Sequence, residues 1–480
     1  MHRFGRAAVV LLALLSLFTM TAGVAVARML PSRLALWRLP TVASRSLTGA
    51  GQVLSGVPDP ADGGSSAATA AGVAAALSPT LRSATLGSHV GAVVDDLSTG
   101  RVLLSRNGGA DFAPASTAKL AVAVAALDVL GPAATFTTRV VTGPAAGSVV
   151  LVGGGDPTLA AGPPPPSNYP QPATLAALAA QTARALRARG IHAVRLSYDT
   201  SLFTGPGMAP GWPNSYVTTG NVTPISSLEV DQGRLTASGA PQDANDPGNY
   251  RARTFSPAPE AARAFASFLS GDGIRVRGAV RAGAAPRGSG TLAAVSSPPL
   301  AEIVGWMLTQ SNNVIAENLA RQVAVATGRP ASFSGAAAAE TAVLRKLGIR
   351  GGIRLVDGSG LSPHDRITPG AEVQLLSLAA SASHPGLRAV ITGLPVAGFS
   401  GTLAPGGSVF PDVGQPGLGV VRAKTGNLTT VVSLAGLALA RNGQLFAFSF
   451  MADRLPSGGL DSGASDMTSL ATSLAACGCG

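Results

Sequence analysis

Pro114-Ala115-Ser116-Thr117-Ala118-Lys119-Leu120-Ala121-Val122-Ala123-Val124 opens the most informative stretch of this 480-residue chain. It reads as an apolar helix from Ser116 to Leu130, ended by Gly131-Pro132. A serine at the start of a helix with a lysine three residues later puts both side chains on one face. The free backbone N–H groups at that end favour negative charge on the serine or on an oxyanion beside it. A neutral lysine there can take the hydroxyl proton. Serine is also the common cap before an apolar run, so this pair alone leaves capping and catalysis both open.

Lysine usage narrows the choice. The chain has 35 lysines and arginines together, and only Lys119, Lys346 and Lys424 are lysine. Lys346 lies in a plain helical run, whereas Lys119 and Lys424 sit in short motifs. Arginine cannot release its proton in a protein, but a buried lysine can shift its pKa and act as a base.

Two further motifs follow in order. Ser311-Asn312-Asn313 stands at the junction of two apolar helical runs and offers a hydroxyl and an amide, although helix capping would explain it as well. Lys424-Thr425-Gly426 ends a strand, where a lysine and a hydroxyl can face a carboxylate while glycine lets a ligand approach the backbone. Its simpler reading is a strand end with an exposed lysine. The three motifs together, in this order, match the serine-lysine acyl-enzyme pattern.

On these residues the chain resembles the penicillin-binding protein and serine β-lactamase superfamily. It is most similar to the D-alanyl-D-alanine carboxypeptidase/endopeptidase group of low-molecular-mass class C, peptidase family S13. Gly154-Gly155-Asp156-Pro157-Thr158-Leu159, Tyr198 to Phe203 with Gly211-Trp212-Pro213, and Thr223 to Leu228 leading to Val230-Asp231 carry the resemblance further. So do Asp357-Gly358-Ser359-Gly360-Leu361-Ser362 and Leu394 to Gly398 with Gly401-Thr402-Leu403. It runs from about residue 90 to residue 455.

The resemblance implies Ser116 as nucleophile, Lys119 as its general base and Ser311 as a proton relay towards the leaving amine. It implies that Asn313 binds the substrate's peptide and that Lys424 and Thr425 hold its terminal carboxylate. Gly426 leaves room beside that strand, and the N–H groups of Ser116 and Asn427 form the oxyanion hole. A charged Lys424 should help keep Lys119 neutral, since like charges disfavour protonation. The implied substrates are peptidoglycan stem peptides, with β-lactam antibiotics as inhibitors and no cofactor. The segment after Asp231 is shorter than in well-known members, so a small further domain is expected to be reduced or absent here. A non-catalytic wall-binding protein and a β-lactamase are the competing readings. Intact Ser116, Lys119, Ser311 and Lys424 argue against the first, and the long insertion and the tether against the second.

Composition sets the outer bounds. A formal net charge of +11 suits an anionic membrane or wall polymer. The arginines are scattered, with no basic run of five, so nucleic-acid binding is disfavoured. The five histidines, at 2, 89, 192, 364 and 384, show no metal-ligand spacing. No Gly-x-Ser-x-Gly elbow occurs. His2, Arg3 and Arg6 precede an uncharged run from Ala7 to Ala27, long enough for one span of a roughly 30 Å hydrocarbon layer. Ala25-Val26-Ala27 would also serve as a cleavage site. Residues 1–27 are thus a signal peptide or a membrane anchor, and the protein is expected in the cell envelope. Cys477 and Cys479, in the last four residues, could form a local bond or hold a metal, and an inert tail is the favoured reading.

The expected organisation is a flexible tether at 28–85 with a helical patch near Ala67 to Leu77, a first transpeptidase-like segment at 86–136, an inserted domain at 137–295 and a second segment at 296–480. Strands are read at 90–95, 101–105, 149–152, 193–198, 419–424, 429–440 and 445–451, the last two joined by an Asn442-Gly443 turn. Helices are read at 172–189, 257–269, 300–308, 313–327, 334–347 and within 461–476. The fold class is α/β (α+β): an antiparallel sheet flanked by helices, interrupted by an inserted domain.

Overall fold

The computed structural model describes residues 67–235, 251–349, 351–406 and 410–480. The N-terminal apolar run, most of the expected tether and the segment just after residue 235 lie outside the described residues. Among the described residues no helix is long and apolar enough to cross a membrane.

Helix α1 (Ala70–Leu81) precedes the hairpin of β1 (Val90–Asp96) and β2 (Arg101–Arg106), and α2 (Lys119–Leu130) follows. Next come β3 (Thr137–Thr142), β4 (Ser148–Val152), α3 (Leu175–Arg187), β5 (Ala193–Asp199), α4 (Pro257–Gly271) and β6 (Thr291–Ser296). Helices α5 (Leu300–Thr309), α6 (Asn313–Ala326), α7 (Phe333–Lys346) and α8 (Pro369–Ala380) lead to β7 (Val421–Leu428), β8 (Val431–Leu439), β9 (Leu445–Ala452) and α9 (Leu460–Ala476).

The main sheet has the order β7-β8-β9-β1-β2 and is antiparallel throughout. Both faces are covered, which explains why β9 reads as an almost unbroken apolar run. Phe446, Phe448 and Phe450 alternate onto the face packed by α1 and α9. Ala447 points to the other face, as do Val93 of β1 and Ala435 and Leu437 of β8. Helix α2 lies on that second side and is buried at every position from Lys119 to Leu127. A helix enclosed by α5, α6, α7 and α8 has no wet face to be amphipathic about.

A second sheet runs Arg275–Val276, β5, β4, β3, β6, and the two-residue strand Arg281–Ala282 also pairs with β5. β4 and β5 are parallel, whereas β3 is antiparallel to both its neighbours. Helices α3 and α4 share a separate core with this sheet. Not all of the insertion stays with it: Phe203, Ala209, Trp212, Val222 and Ile225 pack into the core around α2. That segment carries the insertion to the edge of the site described below.

The structure differs from the sequence reading at both ends of the folded part. The helical patch expected within the tether is α1, Ala70–Leu81, and it is not part of a free tether: it buries Val73, Leu77 and Leu81 against the main sheet. Their repetition every four residues is the apolar stripe by which the helix docks. The C-terminal tail is not inert either. Cys477 and Cys479 form a disulfide, and the Cys479 carbonyl accepts the Thr69 N–H at 2.8 Å where α1 begins. Helix α8, absent from the sequence reading, packs against β1 and β9.

Candidate active site

Ser116 lies in a 3₁₀ turn, Ala115–Ala118, rather than at the cap of the α-helix, which starts at Lys119. A 3₁₀ turn has three residues per revolution, so side chains three apart line up directly. Lys119 Nζ accordingly lies 2.8 Å from Ser116 Oγ. The same nitrogen is 2.8 Å from Asn313 Oδ1 and 2.6 Å from the Ser359 carbonyl oxygen. Lys119 is fully buried, and Ser116 in front of it is half-buried. The turn is held from behind by Ser433 Oγ and Thr117 Oγ1, which both donate to the Pro114 carbonyl, at 2.6 and 2.8 Å.

The Ser311-Asn312-Asn313 triplet divides its work. Asn312 caps α6, its Oδ1 accepting the Ile315 N–H at 3.0 Å, while its Nδ2 donates to Gln232 Oε1 at 2.8 Å. Capping falls to Asn312, which leaves the Ser311 hydroxyl against Lys424 and the Asn313 amide against Lys119. Asn313 Nδ2 donates to the Asn221 carbonyl at 2.9 Å, which turns its Oδ1 towards Lys119. Ser311 has φ of 55° and Ala115, just before the nucleophile position, has φ of 50°. Left-handed backbone is costly for such residues, and strain of this kind collects at functional sites.

Lys424 is not the exposed strand-end lysine of the simpler reading. It is fully buried, with Nζ 2.8 Å from Ser311 Oγ and 2.7 Å from the Thr425 carbonyl. The Thr425 and Thr402 hydroxyls share a hydrogen bond at 2.7 Å. At Gly426 a Cβ would collide with Ser433 Oγ and stand 2.7 Å from the Pro114 oxygen and 3.0 Å from the Ser116 nitrogen. Only glycine lets β7 run this close to the Ser116 amide. Asn427, next along, is exposed. All eight residues singled out from the sequence therefore fall at one place, where β7, the 3₁₀ turn and the start of α6 meet.

Burial pulls the Lys119 ammonium down to about 7, while Asp357, Glu317 and Asp365 pull the other way. Burial also holds Lys424 well below the usual lysine range, and the Lys119 charge adds to this. The sequence expectation ran the other way, with a charged Lys424 keeping Lys119 neutral. In the folded protein desolvation governs Lys119, and the like-charge repulsion bears on Lys424. The arrangement is a half-buried hydroxyl backed by a lysine whose ammonium burial brings down to about 7. A second hydroxyl and a second lysine stand opposite. That set can transfer an acyl group to Ser116 and return a proton to a leaving amine.

Sequence reasoning assigned no role to the loop beyond α7. Asp357 accepts the N–H groups of Ser359, Gly360 and Ser362 at 3.1, 2.7 and 2.7 Å, and the Trp212 indole N–H at 2.7 Å. Glu317 accepts the Gly358 and Ser359 N–H groups. Gly360 has φ of 81°, and a Cβ there would collide with the Ala115 carbonyl. The glycine-serine-glycine pattern was the available signal that this loop approaches another backbone.

Comparison with known proteins bears on the chain as a whole. The model of the D-Ala-D-Ala carboxypeptidase 3 (S13) family matches residues 73–252 and 234–474. The chain is 38% identical over 417 residues to "Carboxypeptidase Rv3627c" of Mycobacterium tuberculosis, covering 86% of this chain and 85% of the relative. It is 30% identical to a D-alanyl-D-alanine carboxypeptidase of Actinomadura sp. (strain R39), covering 76% and 78%. Penicillin binding protein 4 from Haemophilus influenzae superposes with a TM-score of 0.66 at 25% identity, covering 83% of this chain and 97% of that one.

Proposed function

The chain belongs to the D-Ala-D-Ala carboxypeptidase 3 (S13) family, and on that premise we propose that Ser116 is its nucleophile and Lys119 the base that activates it. The protein is a serine-type D-Ala-D-Ala carboxypeptidase acting on peptidoglycan stem peptides, and it binds β-lactams. The observation that carries the residue assignment is the 2.8 Å contact between Ser116 Oγ and a fully buried lysine whose pKa lies near 7.

Neutral Lys119 takes the hydroxyl proton as Ser116 Oγ attacks the carbonyl carbon before the terminal D-alanine. The N–H groups of Ser116 and Asn427 receive the oxyanion, which fits the close run of β7 past the Ser116 amide. When the tetrahedral intermediate collapses, the departing amine takes a proton through Ser311, which is linked to Lys424. The terminal carboxylate meets Lys424 and Thr425, and its charge supplies the counter-ion that burial denies Lys424. Asn313 holds the substrate's peptide group. Water then attacks the acyl-enzyme, with Lys119 again receiving the proton, and Ser116 is regenerated.

Residues 1–27 would hold the protein at the outer side of the membrane or direct its export, which the basic start and the apolar run from Ala7 to Ala27 support. Cell fractionation of the full chain checks this: recovery in the cytosol contradicts it. Digestion of defined monomeric and cross-linked muropeptides tests the chemistry. Release of D-alanine from pentapeptide is the expected product, and no release from any D-Ala-D-Ala substrate contradicts it.

A further inference from the structure

The Lys119 amine does not touch a carboxylate directly; it meets one through a peptide bond. Its Nζ is 2.6 Å from the Ser359 carbonyl oxygen, and the N–H of that same peptide unit, on Gly360, donates to Asp357 Oδ1 at 2.7 Å. We propose that Asp357 is the positioning residue of the base: it aims the Ser359 carbonyl at Lys119 and supplies, through this peptide, the negative charge that balances the ammonium formed when Lys119 takes the Ser116 proton. The inference rests on the assignment of Lys119 as base.

Three observations carry it. First, the Asp357 carboxylate accepts the N–H groups of Ser359, Gly360, Ser362 and Trp212, which fix both of its oxygens in the loop. Its charge is among those acting on Lys119, in the sense that favours the ammonium. Secondly, Asp357 is buried, so its field at Lys119 is little screened by solvent. Thirdly, a peptide whose carbonyl faces an ammonium and whose N–H faces a carboxylate is polarised in the sense that strengthens both contacts. The Trp212 indole belongs to the insertion, so the inserted segment also helps to set the position of the base.

Other charged groups face the same place. Glu317 of α6 and Asp365 of the following loop act on Lys119 in the same direction as Asp357, and Lys424 of β7 is the neighbouring cation. Burial raises the pKa of Glu317, Glu340, Asp365 and Tyr216, and Asp357 as a like-charge neighbour adds to it. Glu317 and Asp365 hold backbone N–H groups on either side of the loop, but neither takes the N–H of the peptide that faces Lys119.

The test is the pH dependence of the second-order rate at which a fluorescent penicillin acylates the full chain. In the parent protein the rate rises with pH as Lys119 loses its proton. Asp357→Asn removes the charge and makes the ammonium less favourable, so the midpoint of that rise should move down by about one pH unit. The plateau should fall at least tenfold, because the ammonium formed in the step has lost its counter-charge. Asp357→Glu keeps the charge, so its midpoint should stay within a few tenths of the parent value even where the plateau drops. A folded Asp357→Asn protein with an unmoved midpoint overturns the proposal. If that variant does not fold, a shift of a full unit in Asp357→Glu overturns it. Parent protein acylated at a residue other than Ser116 would instead defeat the assignment of the base pair, so the two failures are distinct.

Discussion

Lys424 Nζ stands 2.8 Å from Ser311 Oγ, the same separation as Lys119 Nζ from Ser116 Oγ, and both lysines are fully buried. The site thus holds two lysine-serine pairs of the same spacing. Neither lysine has a carboxylate within ion-pair distance among the described residues.

This pairing changes the outlook for arginine at position 424. From sequence alone, a carboxylate-binding cation could be either residue. In the structure the ammonium is wedged between Ser311 Oγ and the Thr425 carbonyl, and burial opposes its charge. Arginine is longer and cannot shed its proton. Lys424→Arg should lower the rate of acylation by penicillin by about a hundredfold or more, within the range general acid–base groups command. Lys346→Arg, on the exposed face of α7, should leave it unchanged. Stopped-flow acylation rates for the two variants make the comparison.

Gly426→Ala should be as damaging as loss of a side chain that does chemistry. The added methyl meets Ser433 Oγ, the Pro114 carbonyl and the Ser116 nitrogen. Ser433→Ala would relieve the first contact only, because the other two are backbone. The double variant should therefore remain at least tenfold below the parent in acylation, a strand shift of a few tenths of an ångström being enough to misplace the oxyanion donors. Recovery to the parent rate would contradict the close approach of β7.

Buried carboxyl groups should make the fold more stable in mild acid. Burial pushes Asp156 up to about 6, Glu372 up to about 7 and Glu229 up to about 8. Each binds its proton more tightly folded than unfolded, so its stabilising contribution is present at low pH and is lost as pH rises through the folded value. Tm should fall between pH 5 and pH 7. Above pH 7 the buried Lys119, lowered in the fold, works in the opposite direction. Glu229→Gln mimics the neutral form and keeps an acceptor for the Asn318 amide, which donates to Glu229 Oε1 at 3.0 Å. Its Tm should match the parent near pH 5 and exceed it at pH 7, as scanning calorimetry would read.

What could be read from the chain and what could not follows from how far each contact reaches. Ser116 and Lys119 are three residues apart, and the Asn442-Gly443 hairpin is local, so spacing alone was enough to pair them, though for Ser116 and Lys119 it took two further motifs to favour catalysis over capping. The strands of the main sheet announced themselves by β-branched and aromatic runs bounded by turn residues. Glu317 looks like an ordinary surface charge on α6. Its burial depends on the Gly358 and Ser359 N–H groups, about forty residues later. Asp357 depends on Trp212, 145 residues earlier. Nothing in local spacing encodes such pairs. Lys424 was placed on the right strand, but its full burial and its contact with Ser311 Oγ are not written in that strand's own sequence.

The central claim is that Ser116 carries the acyl group. The most direct measurement is intact-protein mass spectrometry of the full chain after incubation with benzylpenicillin, followed by peptide mapping. The account predicts one added penicilloyl mass per protein, located on Ser116, and no addition in a folded Ser116→Ala variant. A penicilloyl adduct that persists in Ser116→Ala, or that maps to Ser311 or another residue in the parent protein, would contradict it.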